Sequence, residues 1–253
     1  ADCTRLRSLD PDRTDLTAVE PELLVAAAAS HWPVASSEAS HWPVNADSVV
    51  TSQSAIVLVT AGTPSLVQTS DLSAKLNARY ARARGYAFWQ YHDIMVPRYM
   101  VTWNKVRVLL DMFTRTRAGD WVVWLDTDAV VTNRSVAVED ITAAAESSHW
   151  MTTAGSVSDS QSEAAVARAS LDLIVCDDIG GWELNTGVML WRNTDWSRQT
   201  LENLWAMEHL PHMRGAEQAQ LIQLLRQEDP ERRHHRILDQ SVFNAHPKVH
   251  NDG

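Results

Sequence analysis

The sequence predicts an α/β domain with a central, mostly parallel sheet, helices on both faces and a Rossmann-like first half. Three observations lead there. Between Ala55 and Leu125, short apolar runs rich in β-branched residues alternate with segments of helical period. Turn and cap residues close each piece. Two carboxylates, Asp126 and Asp128, then follow directly on the run WVVWL, at the place where ligands gather in such sheets.

The elements read in order as follows. AIVLVTAG, Ala55 to Gly62, is a buried strand closed by Gly-Thr-Pro. A helix comes next, with Asp71 as its cap, Leu72, Leu76 and Tyr80 as its inner stripe and Gly85 as its stop. YAFWQY, Tyr86 to Tyr91, is a second strand. Trp103, Val106, Leu110 and Phe113 mark a second helix ending before Gly119, and Trp121 to Leu125 is the third strand. Beyond Asp128 the pattern loosens. HWMTTA, LIVC and Thr186 to Asn193 read as strands, Trp196 to Met207 and Gly215 to Arg226 as helices, and the basic run Arg232 to Arg236 as a solvated turn.

Residues 1–53 are polar and Ala/Ser-rich and carry SHWPV twice, at Ser30 to Val34 and Ser40 to Val44. Two copies ten residues apart cannot stack into a solenoid, so this segment reads as an extension or linker before a domain spanning 54–253. His31 and His41 are expected in solvated turns rather than on a metal.

A net charge of −10 and a pI near 5.4 oppose nucleic acid or an anionic membrane as the main partner, because the field repels both. An anionic ligand then needs local compensation, for instance from a metal. Cys3 and Cys176 are the only cysteines, too few for a CxxC zinc site or a disulfide framework. Two unpaired thiols are expected over a single bridge. The longest apolar run, Leu23 to Ala29, is far below the roughly 20 residues that span a bilayer. Asn133-Arg134-Ser135 fits the N-glycosylation acceptor pattern, which is short enough to arise by chance.

Side chains two apart in extended backbone share a side, so Asp126 and Asp128 are expected to converge while Thr127 points away. Two carboxylates suit Mg²⁺ or Mn²⁺, an ion that shares its other positions with water and phosphate oxygens. Two enzyme classes use such a pair. One is a phosphatase of the haloacid dehalogenase type, whose D-x-D-x-[TV] motif fits Asp126 to Val130 with Asp126 as nucleophile. It needs a Lys between that motif and a later acidic pair, and this chain has none from Asp128 until Lys248. The other is a nucleotide-sugar glycosyltransferase of GT-A type, whose nucleotide-binding half precedes its D-x-D.

Several segments together resemble the glycosyltransferase family of plant xyloglucan xylosyltransferases, galactomannan galactosyltransferases and yeast Golgi mannosyltransferases. They are VTAG near Thr60, WNK with Trp103 and Lys105, WLDTDAVVTN, LNTGVMLWRNTDWS from Leu184 to Ser197, and FNAHP from Phe243 to Pro247. The resemblance implies a GT-A fold and a retaining, Mn²⁺- or Mg²⁺-dependent transfer from a nucleotide diphosphate sugar to an oligosaccharide or polysaccharide acceptor. It implies donor contacts at Thr60, Ala61, Lys105, Asp126, Thr127, Asp128, Asn185, Thr186 and Gly187, with Asp126 and Asp128 on the metal. Glu217 and Gln218 match part of the family's acidic-pair-plus-Gln segment and are the catalytic candidates, with Asp239-Gln240 a weaker pair. Ala216 stands where the family has its first acid. The family's later metal-binding His has no counterpart before Gly253 other than His246 or His250, and a missing carboxyl end is expected. The resemblance further implies the Golgi lumen, with a type II membrane anchor absent from these residues. An inactive binding domain of the same fold is the non-enzymatic alternative.

Overall fold

The computed structural model describes residues 46–50, 54–62, 66–92, 101–147, 171–207 and 216–244, all within one unit spanning 38–253. The strands are β1 (Ala46–Val50), β2 (Ile56–Ala61), β3 (Ala87–Tyr91), β4 (Trp121–Leu125), β5 (Leu173–Cys176), β6 (Asn185–Arg192) and β7 (His235–Leu238). The helices are α1 (Val67–Arg84), α2 (Asn104–Arg115), α3 (Val138–Glu146), α4 (Asp195–Ala206) and α5 (Ala216–Glu228).

The sheet runs β1-β3-β2-β4-β6-β5-β7. β2 pairs in parallel with β3 and β4, and β5 with β7, whereas β1 and β6 are antiparallel to their neighbours. Five strands therefore point one way. Their carboxyl ends line up with the amino end of β6, so Ala61, Asp126, Asn185 and Asp239 come to one edge. β6 is the hinge of this arrangement, because its reversal brings the start of LNTGVMLWRN beside the end of WVVWL.

Both faces are covered. Ile56, Leu58, Phe88, Trp121, Val123, Leu125, Val188 and Leu190 share one core with Ala74, Ala78, Tyr80 and Ala81 of α1 and Val138 and Ala145 of α3. The alternate residues face α2, whose Lys105 lies 5.9 Å from the ring centre of Trp124. α2 packs on α4, and α4 on α5. The stripe Trp103, Val106, Leu110 and Phe113 is buried as its period predicts.

α1 departs from its sequence reading. It begins at Val67, so Asp71 lies within it and caps nothing, and Leu72 is 62% exposed. Tyr80 is buried as expected, but the rest of the buried face is Ser70, Ser73, Ala74, Asn77, Ala78 and Ala81. Polar residues belong there because they bind the chain leaving β4. Ser73 Oγ donates to Thr127 O, Asn77 Nδ2 to Ala129 O at 2.9 Å, and Val131 N to Asn77 Oδ1 at 2.9 Å. Gly85 ends the helix as expected, at φ 72°, a left-handed cap that favours glycine.

β1 and α3 were not foreseen. β1 takes five residues of the segment read as linker and adds them to the sheet beside β3. The basic run also differs, since His235 and Arg236 belong to β7 and His235 is 3% exposed. Its burial is sustained by Asp229, which accepts from Arg233 N, His234 N, His235 N and His235 Nδ1 at 2.7 to 3.1 Å. HWMTTA, Cys3 and both SHWPV copies lie outside the described residues. Cys176 is a free, buried thiol, its pKa pushed up to about 12 by burial.

Candidate active site

The chain leaves β4 in a turn rather than in extended backbone. Asp126 N donates to Gly187 O at 2.8 Å, and Ala129 N returns to Asp126 O at 2.9 Å. The two aspartates are therefore presented by a turn, and strand alternation does not govern them. Thr127 Oγ1 donates to Ala61 O, which ties the turn to the end of β2 and keeps that side chain occupied.

Asp126 and Asp128 have unlike surroundings. Asp126 Oδ1 accepts from Trp124 Nε1 at 2.7 Å and pairs with Lys105 Nζ at 3.1 Å. Asp128 is exposed and makes no hydrogen bond or ion pair with the described residues. Lys105, 5% exposed, also reaches Glu217 Oε1 at 3.0 Å, Thr186 O at 3.2 Å and Thr186 Oγ1 at 3.3 Å. Thr186 Oγ1 donates to Glu217 Oε1 at 3.1 Å, and Thr186 N to Gln218 Oε1 at 3.1 Å. A buried ammonium is tolerable only when paired, and here two acids and a carbonyl share it.

The charges follow from that sharing. Burial works against the Lys105 ammonium, but Asp126 and Glu217 overcome it and raise its pKa. Burial would also raise Glu217, yet Lys105 holds that carboxyl below its usual range. Asp126 moves upward, because desolvation outweighs Lys105 and the Trp124 bond.

A second cluster lies across Gly187. Gly187 N donates to Asn185 Oδ1 at 2.7 Å, Asn244 Nδ2 donates to the same oxygen at 2.7 Å, and Asn185 Nδ2 reaches Asp178 Oδ1 at 3.3 Å. A Cβ on Gly187 would stand 2.9 Å from Asn185 Oδ1 and 3.5 Å from Asp126 Oδ2. Glycine thus keeps open the space between the free oxygen of Asp126 and the asparagines.

Lys105, Asp126, Asn185, Thr186, Gly187, Glu217 and Gln218 come together from four separate elements, with Asp128 on the same turn as Asp126. Thr60 is 1% exposed, its Oγ1 buried without a partner among the described residues, and Ala61 meets the turn through its carbonyl. Asp178 and Asn244 were missed as site residues. For Asn244 a signal existed in FNAHP, where an asparagine holds φ 62°, a conformation Asn tolerates better than most. His246 and His250 lie outside the described residues.

Among the described residues no three His, Cys, Asp or Glu side chains gather as a metal cage. The exposed carboxylate of Asp128 and the free Oδ2 of Asp126 nonetheless fit a hard cation that takes one or two protein carboxylates and fills its shell with water and phosphate.

The family model described as the galactosyl transferase GMA12/MNN10 family matches residues 52–252. The chain belongs to this family. Among solved structures, a glycosyltransferase involved in the glycosylation of the major capsid of PBCV-1 matches with a TM-score of 0.50 at 14% identity, over 73% of this chain and 82% of that one. The glycosyltransferase GlyE of Streptococcus pneumoniae TIGR4 matches at 0.44 and 15%, over 74% of this chain and 45% of its own. An active-site mutant of LgtC matches at 0.42 and 14%, over 78% and 80%. No curated protein matches significantly. The protein is thus a glycosyltransferase of GT-A type, and the family match overturns the phosphatase reading of Asp126-Thr127-Asp128. Sugar donor and sugar acceptor follow from the family. Among the described residues no helix is long and apolar enough to cross a membrane.

Proposed function

We propose that this family member is a retaining, Mn²⁺- or Mg²⁺-dependent transferase that moves a hexosyl or pentosyl unit from a nucleoside diphosphate sugar to a glycan acceptor, in the Golgi lumen. The observation that carries the reading is the turn at Asp126–Ala129, which holds the anchored carboxylate of Asp126 beside Gly187 and the exposed carboxylate of Asp128 two residues on. Asp126 and Asp128 would hold the cation. When bound, it would offset the negative charge that builds on the departing diphosphate.

The remaining work falls to this chain. Lys105 fixes Asp126 so that Oδ2, not Oδ1, faces the open space at Gly187. Glu217 balances the lysine and accepts from Thr186 Oγ1, and Gln218 accepts from Thr186 N, so both polar groups of α5 orient Thr186 at the mouth of β6. Asn185, held by Gly187 N and Asn244, keeps its amide toward Asp178 and shapes the sugar side. Rate enhancement then comes from orientation in a fixed site.

Isothermal titration of Mn²⁺ with a panel of nucleotide sugars tests this reading. Donor binding is expected to require the cation and to disappear in Asp128→Asn. Equal donor affinity with and without a chelator would overturn the metal assignment. Binding without release of free nucleotide, across many acceptors, would instead favour the inactive binding domain.

A further inference from the structure

We propose that Asn133 is an N-glycan acceptor and that the folded protein carries an oligosaccharide there. Asn133-Arg134-Ser135 is the only N-x-[ST] triplet in the sequence. Such a triplet is used only where the mature fold leaves room for a bulky, solvated glycan. The structure supplies that room.

Asn133, Arg134 and Ser135 are all exposed, in the loop between the Asp126 turn and α3. Ser135 Oγ donates to Asn133 Oδ1 at 2.6 Å and Ser135 N to the same oxygen at 3.1 Å. The carbonyl oxygen of the Asn133 amide is thereby held inward, while its Nδ2 bonds to no described residue. A glycan on Nδ2 would displace no hydrogen bond to the described residues. The loop is also fixed, because Arg84 Nη2 donates to Arg134 O at 2.7 Å, Tyr80 OH to Val136 O at 2.9 Å, and Val131 N binds Asn77. The acceptor thus stands on a loop tied to α1 by three hydrogen bonds.

The transfer forms a bond between Asn133 Nδ2 and the anomeric carbon of an oligosaccharide carried on a polyprenyl diphosphate. The carbon–oxygen bond to that diphosphate breaks, the lipid diphosphate leaves, and Nδ2 gives up one proton. The inference rests on the luminal compartment proposed above, and not on the chemistry of the Asp126 site.

The test is secretion of the full chain from a eukaryotic host behind a cleavable signal, followed by peptide-N-glycosidase treatment and peptide mapping. A loss of about 2 kDa or more, with Asn133 converted to Asp, is expected. Asn133→Gln and Ser135→Ala should abolish the shift, and Ser135→Thr should keep it. A secreted, cooperatively melting wild-type chain with no shift would overturn the proposal, as would a shift that survives Asn133→Gln. Transfer activity assayed on the same samples separates the two readings: it should be unchanged within about twofold in Asn133→Gln, whatever the catalytic assignment turns out to be.

Discussion

β6 has an asparagine at each end, and the two do opposite things. Asn193, just past its carboxyl end, is 4% exposed, and its Nδ2 donates to Phe113 O, Thr116 O and Thr116 Oγ1 at 3.0 to 3.2 Å. Its backbone is equally committed, accepting from Gly119 N and donating to Asp120 O. Asn185, at the amino end, is half-buried and bonds to Gly187, Asn244 and Asp178, which are themselves at the open edge. One amide staples α2 to the sheet. The other holds a space open. Residue type does not separate structural from functional asparagines; the edge of the sheet on which the strand order places them does.

Substitutions can sharpen or break that contrast. The largest effect is expected at the open edge: Asp126→Asn or Asp128→Asn should lower kcat/KM by at least about 100-fold, near 3 kcal/mol, as for other charge-stabilising groups. Asp128→Asn should leave the melting temperature unchanged, since Asp128 is exposed and has no partner among the described residues; a large fall would mean that it is structural. At the closed edge, Asn193→Ala should cost roughly 1–3 kcal/mol of stability in urea unfolding, because one buried and two part-buried acceptors lose this donor. Its folded fraction should retain near-normal KM. Asn185→Ala should do the reverse, lowering kcat about tenfold, near 1.4 kcal/mol, with little change in the urea midpoint. Equal stability losses in the two asparagine variants would erase the distinction.

The smallest effect concerns pH. Burial lowers the His235 pKa below its ordinary 6.5, and hydrogen bonds from His234, His235 and Arg233 outweigh burial to hold Asp229 below 3.8. In both cases the unfolded chain takes up the proton first. Stability is therefore full above pH 6.5 and declines as pH falls below it, first through His235 and then, under pH 3.8, through Asp229. Urea titrations between pH 7.5 and 5 should show the His235 part of this decline, and His235→Gln should flatten it.

Much of the fold was legible because β2, β3, β4 and β6 are apolar runs with clear stops and α2 has a regular stripe. α1 was legible as a helix but not in its orientation. Its inner face answers to the carbonyls of Thr127 and Ala129, and hydropathy does not register that demand. β7 was hidden for a related reason: RRHHR reads as solvated until Asp229 is known to satisfy the histidine and three backbone N–H groups. At the site, WLDTDAVVTN and LNTGVMLWRN named the right segments. The asymmetry of the acids was not legible, since it depends on a lysine 21 positions upstream and a glutamate 91 downstream of Asp126.

The ammonium of Lys105 joins carboxylates from two distant parts of the chain, and neither can be left alone with the other. Exchanging the lysine alone would set the buried carboxylate of Glu217 against that of the half-buried Asp126, whereas Lys105→Met together with Glu217→Gln leaves Asp126 as the single charge of the three. Positions 105, 126 and 217 therefore form one electrostatic unit, to be redesigned together.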